Sequence, residues 1–228
     1  MSLLSPTPAS RSAGVGVVAG LCAALTLPPF NLVYFIWLFP IPLLWVVARQ
    51  STGEALITAY VFGLVAMNQA TYGLLGYDQH IWLLIFVVAP LWGLLPVWLI
   101  SWVKRRQGIN RALLLAPFVW VSVQTLLLDI AKLPLDIAVV FTHSLIPLQL
   151  VSVLGSSVLP FIVVLTGALI TRALLYMAEH KVQAAVPYIL GSLGVPLATF
   201  ALGHILLDLP LRPCVTKVAT AQPVIPIH

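Results

Sequence analysis

Residues 81–103 read IWLLIFVVAPLWGLLPVWLISWV, and the chain continues with Lys104, Arg105 and Arg106. The run contains no charged side chain. As a helix rising about 1.5 Å per residue, it is long enough to cross the ~30 Å hydrocarbon core of a bilayer. An uncharged apolar run that ends at basic residues is typical of a transmembrane helix.

Runs of this kind recur along the chain. Apolar residues make up 61% of the 228 residues and charged residues 7%, whereas about a quarter of the residues in a soluble domain are charged. The mean hydropathy is +1.08. We therefore predict an all-α integral membrane protein, a bundle of about seven transmembrane helices without a sizeable soluble domain. The predicted spans are residues 14–27, 32–48, 55–75, 81–103, 112–128, 150–171 and 186–207.

The basic residues predict how the bundle is oriented. If the N-terminus is cytoplasmic, eight of the eleven Lys and Arg residues fall in cytoplasmic segments, as the positive-inside rule requires. The eight are Arg11, Arg49, Lys104, Arg105, Arg106, Arg111, Arg172 and Lys181. Seven spans then place the C-terminus outside. The expected organisation is a cytoplasmic tail (1–12), a transmembrane helical domain (13–209) and an outer tail (210–228).

Other classes of site have little support in the sequence. The five histidines are scattered without the spacing of metal ligands, so we predict neither a metal site nor a cofactor. The basic run at 104–106 is better explained as a topology signal than as a nucleic-acid site. Ion-coupled transport normally needs ionisable residues inside the spans, and none stands out. The glycine pairs Gly16/Gly20 and Gly191/Gly194 predict close helix packing.

The segment from Asp129 to Gln149 is the most informative connection. It is moderately apolar, is broken by Pro134 and Pro147, and carries Asp136 among apolar residues. Because it is too short and too polar to cross the bilayer, we expect it to lie at the outer interface or to re-enter slightly. It could hold a lipid headgroup or be an amphipathic connector without a ligand, and the residues alone leave both open.

Several short stretches, taken in order, carry a family resemblance. They are residues 27–31 (LPPFN), 116–121 (APFVWV), 148–155 (LQLVSVLG) and 217–226 (KVATAQPVIP). Together they resemble the membrane domain of bacterial apolipoprotein N-acyltransferases. The last stretch is similar to the first strand of the periplasmic nitrilase-like domain that follows the membrane domain in this family.

The resemblance implies a role in lipoprotein maturation in the bacterial cytoplasmic membrane. Members of the family transfer an acyl chain from a phospholipid to the α-amino group of a diacylglyceryl-cysteine, through a thioester on a catalytic cysteine. A carboxylate and a lysine assist that cysteine. These three groups belong to the nitrilase-like domain, so no residue of this chain is expected to be catalytic. Cys214 precedes the matched strand and is expected to be structural.

The resemblance also directs attention to the outer region where substrates are handled. We nominate Trp120, Gln124, Pro134, Asp136, His143 and Gln149 as candidates for a lipid groove; their alternative role is helix packing and interface anchoring. The family tends to have an acidic residue where Gln124 stands and a Pro-Trp pair near Pro134. Both departures put substrate binding by this chain in question.

Two functions of different class follow from these observations. The first is the membrane part of an apolipoprotein N-acyltransferase, expected to be inactive without a separately encoded nitrilase-like domain. Its partners would be membrane phospholipid, that domain and a lipoprotein substrate, with no nucleic acid involved. The second is a non-enzymatic membrane scaffold, or diverged relative, associated with a lipid-linked enzyme.

Overall fold

The computed structural model describes residues 8–71, 79–131 and 136–208, and these residues are overwhelmingly helical, without a β-strand among them. The α-helices are α1 (Pro8–Ala24), α2 (Pro40–Arg49), α3 (Thr52–Thr71), α4 (Gln79–Gln107), α5 (Ile109–Ala131), α6 (Leu145–Leu154), α7 (Val158–Ala178) and α8 (Val182–Asp208). Two 3₁₀ helices interrupt them, η1 (Val33–Trp37) and η2 (Ile137–His143). The predicted all-α class is confirmed for this part of the chain.

Three of the described helices are long and apolar enough to cross a membrane. They cover Ile109–Ile130, Val158–Ala178 and Val182–Asp208. Shorter apolar helices cover Ala9–Ala24, Val33–Arg49 and Leu145–Leu154. The chain thus has the helices of a membrane protein, while the count of seven spans and the orientation of the termini stay predictions.

The predicted second span, residues 32–48, is not one continuous α-helix. The chain forms η1, and α2 begins only at Pro40. Proline is favoured at the first helical position because its fixed φ suits the helix and its missing N–H would have no intrahelical acceptor there. Phe39, at the N-cap position, is fully buried. The sequence did not predict this break, because the residues around it are as apolar as those of a continuous transmembrane helix.

The predicted sixth span, residues 150–171, is also divided. Helix α6 ends at Gly155, whose φ is +82°, a left-handed conformation that glycine adopts without steric cost. Helix α7 then begins at Val158 and runs to Ala178. The predicted interface segment 129–149 accordingly contains η2 and the start of α6. Helix α1 begins at Pro8, before the predicted start of the first span at residue 14.

Several helices meet at one end of the bundle, where the basic residues gather. Lys104 at the end of α4 donates from Nζ to the carbonyl oxygens of Val47 (2.6 Å) and Gln50 (3.1 Å) at the end of α2. A cation at this position also interacts favourably with the C-terminal end of the helix dipole. The Ser12 hydroxyl of α1 donates to Oε1 of Gln50 at 3.1 Å. We call this end of the molecule the basic end.

Helix α3 starts at the basic end with a capping box. The backbone N–H and hydroxyl of Ser51 donate to Oε2 of Glu54 at 2.9 and 2.7 Å, and the Glu54 N–H donates to the Ser51 hydroxyl at 3.3 Å. This reciprocal arrangement satisfies backbone donors that the first turn leaves free. The hydrogen bonds from Ser51 also hold the pKa of the Glu54 carboxyl below its ordinary value.

A cluster of four buried aromatic side chains joins four segments in the middle of the bundle. Phe39, Phe62, Trp92 and Trp120 come from the break before α2, from α3, from α4 and from α5. The Phe39–Phe62 and Phe62–Trp92 rings stack with centroids 5.4 and 5.3 Å apart, and Trp120 packs edge-on to Trp92 at 5.7 Å. Aromatic pairs of this geometry contribute about 0.5–1.5 kcal/mol each beyond the area they bury.

Glycines let α1 approach α3 closely. A Cβ at Gly16 would lie 2.5 Å from the Thr58 carbonyl oxygen, and one at Gly20 would lie 2.5 Å from Cβ of Val65. The predicted packing role of this pair is confirmed. The prediction is wrong for Gly194, where a Cβ would meet nothing within 4 Å; a single face of α8 is packed against the bundle, so spacing alone did not identify the contact.

We expect Gly16→Ala to destabilise the bundle by about 1–3 kcal/mol, because the new methyl group collides with backbone that must shift. The matched control is Gly14→Ala in the same helix, where a Cβ has open space. That substitution should be neutral or slightly stabilising, since alanine is the better helix former. Thermal unfolding of the purified variants in detergent measures both. Equal melting temperatures for the two variants would contradict the close α1–α3 contact.

Candidate functional site

A cavity of about 230 Å³ lies at the end of the bundle opposite to the basic end. Its walls come from the end of α1 and the following turn, from α3, from α4 and from η2. Most of the lining is apolar, including Met67, Ile137 and Val140. The polar side chains in the lining are those of Thr26 and Asp136, together with the indole of Trp92.

Asp136 is fixed by two hydrogen bonds. As the N-cap of η2, its Oδ1 accepts from the Ala138 backbone N–H at 2.9 Å. The same oxygen accepts from Nε2 of Gln124 on α5 at 2.8 Å. Oδ2 receives no hydrogen bond from the described residues. The carboxylate is therefore held in place while one of its oxygens keeps its capacity to accept.

One polar atom of a cavity-lining residue and one of Asp136's hydrogen-bond partner are buried without a hydrogen-bond partner among the described residues. They are Nε1 of Trp92 and Oε1 of Gln124, and both side chains are 4% exposed. Leaving such a group unsatisfied costs about 1–3 kcal/mol. The region thus combines an N–H donor, an amide acceptor and a carboxylate acceptor with apolar walls.

Trp120 belongs to the aromatic cluster, together with Trp92 and Phe39. Its side chain is 1% exposed and packs against Trp92 and Phe39. It occupies α5 one helical turn before Gln124. Trp120 thus packs in the cluster one helical turn from Gln124, and its nomination for a lipid groove stays a prediction.

The turn after α1 forms another wall of the cavity. Pro28 and Leu27 line it, and Nε2 of Gln69 on α3 donates to the Pro28 carbonyl oxygen at 2.6 Å. The peptide bond between Pro28 and Pro29 is cis. The hydrogen bond from Gln69 ties the LPPFN stretch at residues 27–31 to the end of α3.

The other nominated residues do not join the described site. Gln149 lies on α6, is partly exposed, and donates from Nε2 to Leu145 in its own helix at 3.3 Å. His143 ends η2, and the structure describes only its backbone. Pro134 lies outside the described residues. Among the six candidates, the structure brings Gln124 and Asp136 into direct contact and places Trp120 behind them.

The described part of the chain contains no candidate metal site. No group of three His, Cys, Asp or Glu side chains there could hold an ion. Cys22 is a free thiol on α1 and is partly buried. The described lining of the cavity offers the Asp136 carboxylate and mostly apolar walls. An ammonium group would fit the carboxylate, and a length of acyl chain would fit the apolar walls.

The chain was compared with known protein families. The sequence model of the apolipoprotein N-acyltransferase N-terminal domain matches residues 19–169. The chain belongs to this family. All the cavity-lining residues fall inside the matched part of this N-acyltransferase domain. A comparison with curated proteins found no match.

The family assignment confirms the resemblance drawn from the stretches at 27–31, 116–121 and 148–155, which all lie in the matched part. The stretch at 217–226 lies outside the match and outside the described residues. Its similarity to a nitrilase-like strand stays a prediction.

The sequence did not single out most of the apolar residues that line the Asp136 cavity. Trp92 is the clearest case, because it is one of many apolar residues in a 29-residue helix. Its neighbour Gly93 was the available signal: a Cβ there would lie 2.5 Å from the Ala59 carbonyl oxygen, so α3 and α4 are closest at this level. Met67 and Thr26 had no distinguishing pattern at all.

A double-mutant cycle between Gln124→Leu and Asp136→Ala should give a coupling of about 1 kcal/mol in thermal or denaturant unfolding, because each change removes the same hydrogen bond. Asp136→Ala alone should cost a further ~1 kcal/mol through loss of the η2 cap. Gln149→Leu is the control, since its side chain bonds only its own helix. Full additivity of Gln124→Leu and Asp136→Ala would refute the contact.

Proposed function

We propose that this bundle is the membrane domain of an apolipoprotein N-acyltransferase-like protein in the bacterial cytoplasmic membrane. In this role it presents part of a lipid substrate to a nitrilase-like domain that performs the transfer. The observation that carries the proposal is the apolar cavity with its fixed Asp136 carboxylate, which lies within the family match.

The charge pattern supports a defined orientation for this role. The basic end, with Lys104 and the neighbouring arginines, faces the cytoplasm under the positive-inside rule. About seven spans then put residues 210–228 on the outer face. The cavity lies at the opposite end from Lys104, so it opens toward the side on which the family's nitrilase-like domain sits.

The size of the cavity limits what it holds. Sites for whole drug-sized ligands have volumes of about 300–1,000 Å³, and this cavity has about 230 Å³. It therefore takes a headgroup or a length of acyl chain, with the remainder of the lipid in the bilayer.

The Asp136 carboxylate selects for a cationic group. The phospholipid donor of an ethanolamine type carries an ammonium, and the acceptor in the family's reaction is an α-amino group. The amide of Gln124 supports the ionised carboxylate by donating to it at 2.8 Å, which an acidic residue at this position could not do while charged. Acyl transfer itself forms and breaks a thioester on the cysteine of the nitrilase-like domain.

The test is complementation in a bacterial strain depleted of its own apolipoprotein N-acyltransferase. N-acylation of a reporter lipoprotein is measured by mass spectrometry with this chain alone, with a nitrilase-like domain alone, and with both. We expect acylation only with both. Asp136→Asn should lower it about tenfold or more, because a hydrogen bond to a charged group contributes about 1.5–3 kcal/mol.

The matched control is Gln149→Leu, which changes a residue outside the cavity and should leave acylation unchanged. A co-expressed domain whose nucleophilic cysteine is replaced by alanine should give none. Acylation by this chain alone would contradict the division of labour. Correct membrane insertion without acylation under any condition would instead favour the non-enzymatic scaffold.

A further inference from the structure

A second cavity, of about 250 Å³, lies at the basic end between α5, α7 and α8. Its polar lining consists of Asn110, Arg172, Tyr176 and Tyr188, and its other walls are leucine and alanine side chains. Leu114, on one wall, is 66% exposed, so the cavity reaches the outer surface of the bundle. It is separate from the Asp136 cavity and plays no part in the proposed transfer.

Arg172 is held in a defined position within this cavity. Its Nη2 donates to the Tyr176 hydroxyl at 2.8 Å, and its Cζ lies 4.3 Å from the Tyr176 ring centroid and 5.9 Å from that of Tyr188. The two tyrosine rings are themselves 5.4 Å apart. A guanidinium stacked on aromatic rings in this way keeps its other N–H groups in a fixed plane.

No carboxylate among the described residues forms an ion pair with Arg172. Among the described residues, Lys181 Nζ lies 2.9 Å from Oε2 of Glu179, and His204 Nδ1 lies 3.2 Å from Oδ2 of Asp208. Glu179, which directly follows α7, is therefore engaged by Lys181. Arg172 is only partly exposed and makes no direct ion pair among the described residues, although its charge acts on Glu179 at longer range.

These features fit a phosphate group. A planar guanidinium binds phosphate oxygens through two parallel N–H bonds, and the Tyr176 hydroxyl can donate its own proton in addition to accepting from Arg172. Asn110 adds an amide on the opposite wall. The leucine walls beside Arg172 distinguish a lipid phosphate from a free one, because they offer an apolar contact for the first part of an acyl chain.

We infer that this cavity is a binding site for the phosphate headgroup of an anionic phospholipid, with Arg172 as the principal contact. Basic pockets between transmembrane helices are known to take such headgroups. The site would anchor α8 to α5 and α7 through a lipid, at the end of the bundle away from the Asp136 cavity. Because the inferred lipid site involves other residues than the Asp136 cavity, its test is independent of the test of the proposed function.

The experiment is lipid binding to the full chain, measured by native mass spectrometry and by thermal shift. The probes are phosphatidylglycerol, phosphatidylethanolamine with the same acyl chains, and inorganic phosphate. We expect phosphatidylglycerol to bind at least about tenfold more tightly than phosphatidylethanolamine and to raise the melting temperature. Arg172→Met should remove that preference, since it keeps the aliphatic stem and removes the fork of donors.

Arg49→Met is the matched control. Arg49 belongs to the same basic end and lies over an aromatic ring, with Cζ 5.3 Å from the Trp45 centroid, but it does not line this cavity. It should keep the preference for phosphatidylglycerol. Arg172→Lys and Tyr176→Phe are milder variants for the case in which Arg172→Met does not fold; each should weaken phosphatidylglycerol binding at least threefold.

Three results would overturn the inference. Equal binding of the two phospholipids would show that the charge is not recognised. An equal loss in Arg49→Met and Arg172→Met would show general attraction to the basic end. A thermal shift with inorganic phosphate as large as that with phosphatidylglycerol would assign the site to a free anion.

Discussion

The stacked aromatic side chains of Phe39, Phe62, Trp92 and Trp120 are the contact on which the rest of the bundle depends. They come from the segment before α2 and from α3, α4 and α5, so these four cannot shift against one another without separating a pair of rings. In lipid, helices gain little from the hydrophobic effect and associate mainly through van der Waals packing. Large, flat, interlocked rings at one level supply that packing. The close α1–α3 and α3–α4 contacts at Gly16 and Gly93 complete the same layer.

The cluster also sets the geometry of the Asp136 cavity. Trp92 belongs to both: one part of its surface packs in the cluster and another lines the cavity. Trp120 fixes the orientation of α5, and Gln124 one turn later reaches Asp136 on η2. The hydrogen bond between Gln124 and Asp136 therefore depends on the apolar packing of the aromatic cluster. At the basic end, Lys104 and Arg172 play no part in this layer, and their charges are available for helix capping and for lipid.

Much of the fold followed from the sequence, because charge-free runs and their breakers report helices directly. The predicted spans agree with the observed helices for α3, α4, α5 and α8 to within a few residues. The breaks at Phe39 and Gly155 were missed, since apolar character continues across them and only the backbone changes direction. Asp136 and Gln124 stood out as polar residues in apolar surroundings. Their contact, and the role of Trp92 beside them, depended on tertiary packing that periodicity does not encode.

The central claim, that the Asp136 cavity takes part of a phospholipid, is tested most directly by photo-crosslinking in reconstituted membranes. A phosphatidylethanolamine with a diazirine on its acyl chain is irradiated, and the labelled peptides are mapped by mass spectrometry. The account predicts strong labelling near Met67 and Val140, and loss of that labelling in Val139→Trp, which fills the cavity from its partly exposed rim. Labelling that follows surface exposure alone, concentrated on α8 and unchanged by Val139→Trp, would contradict it.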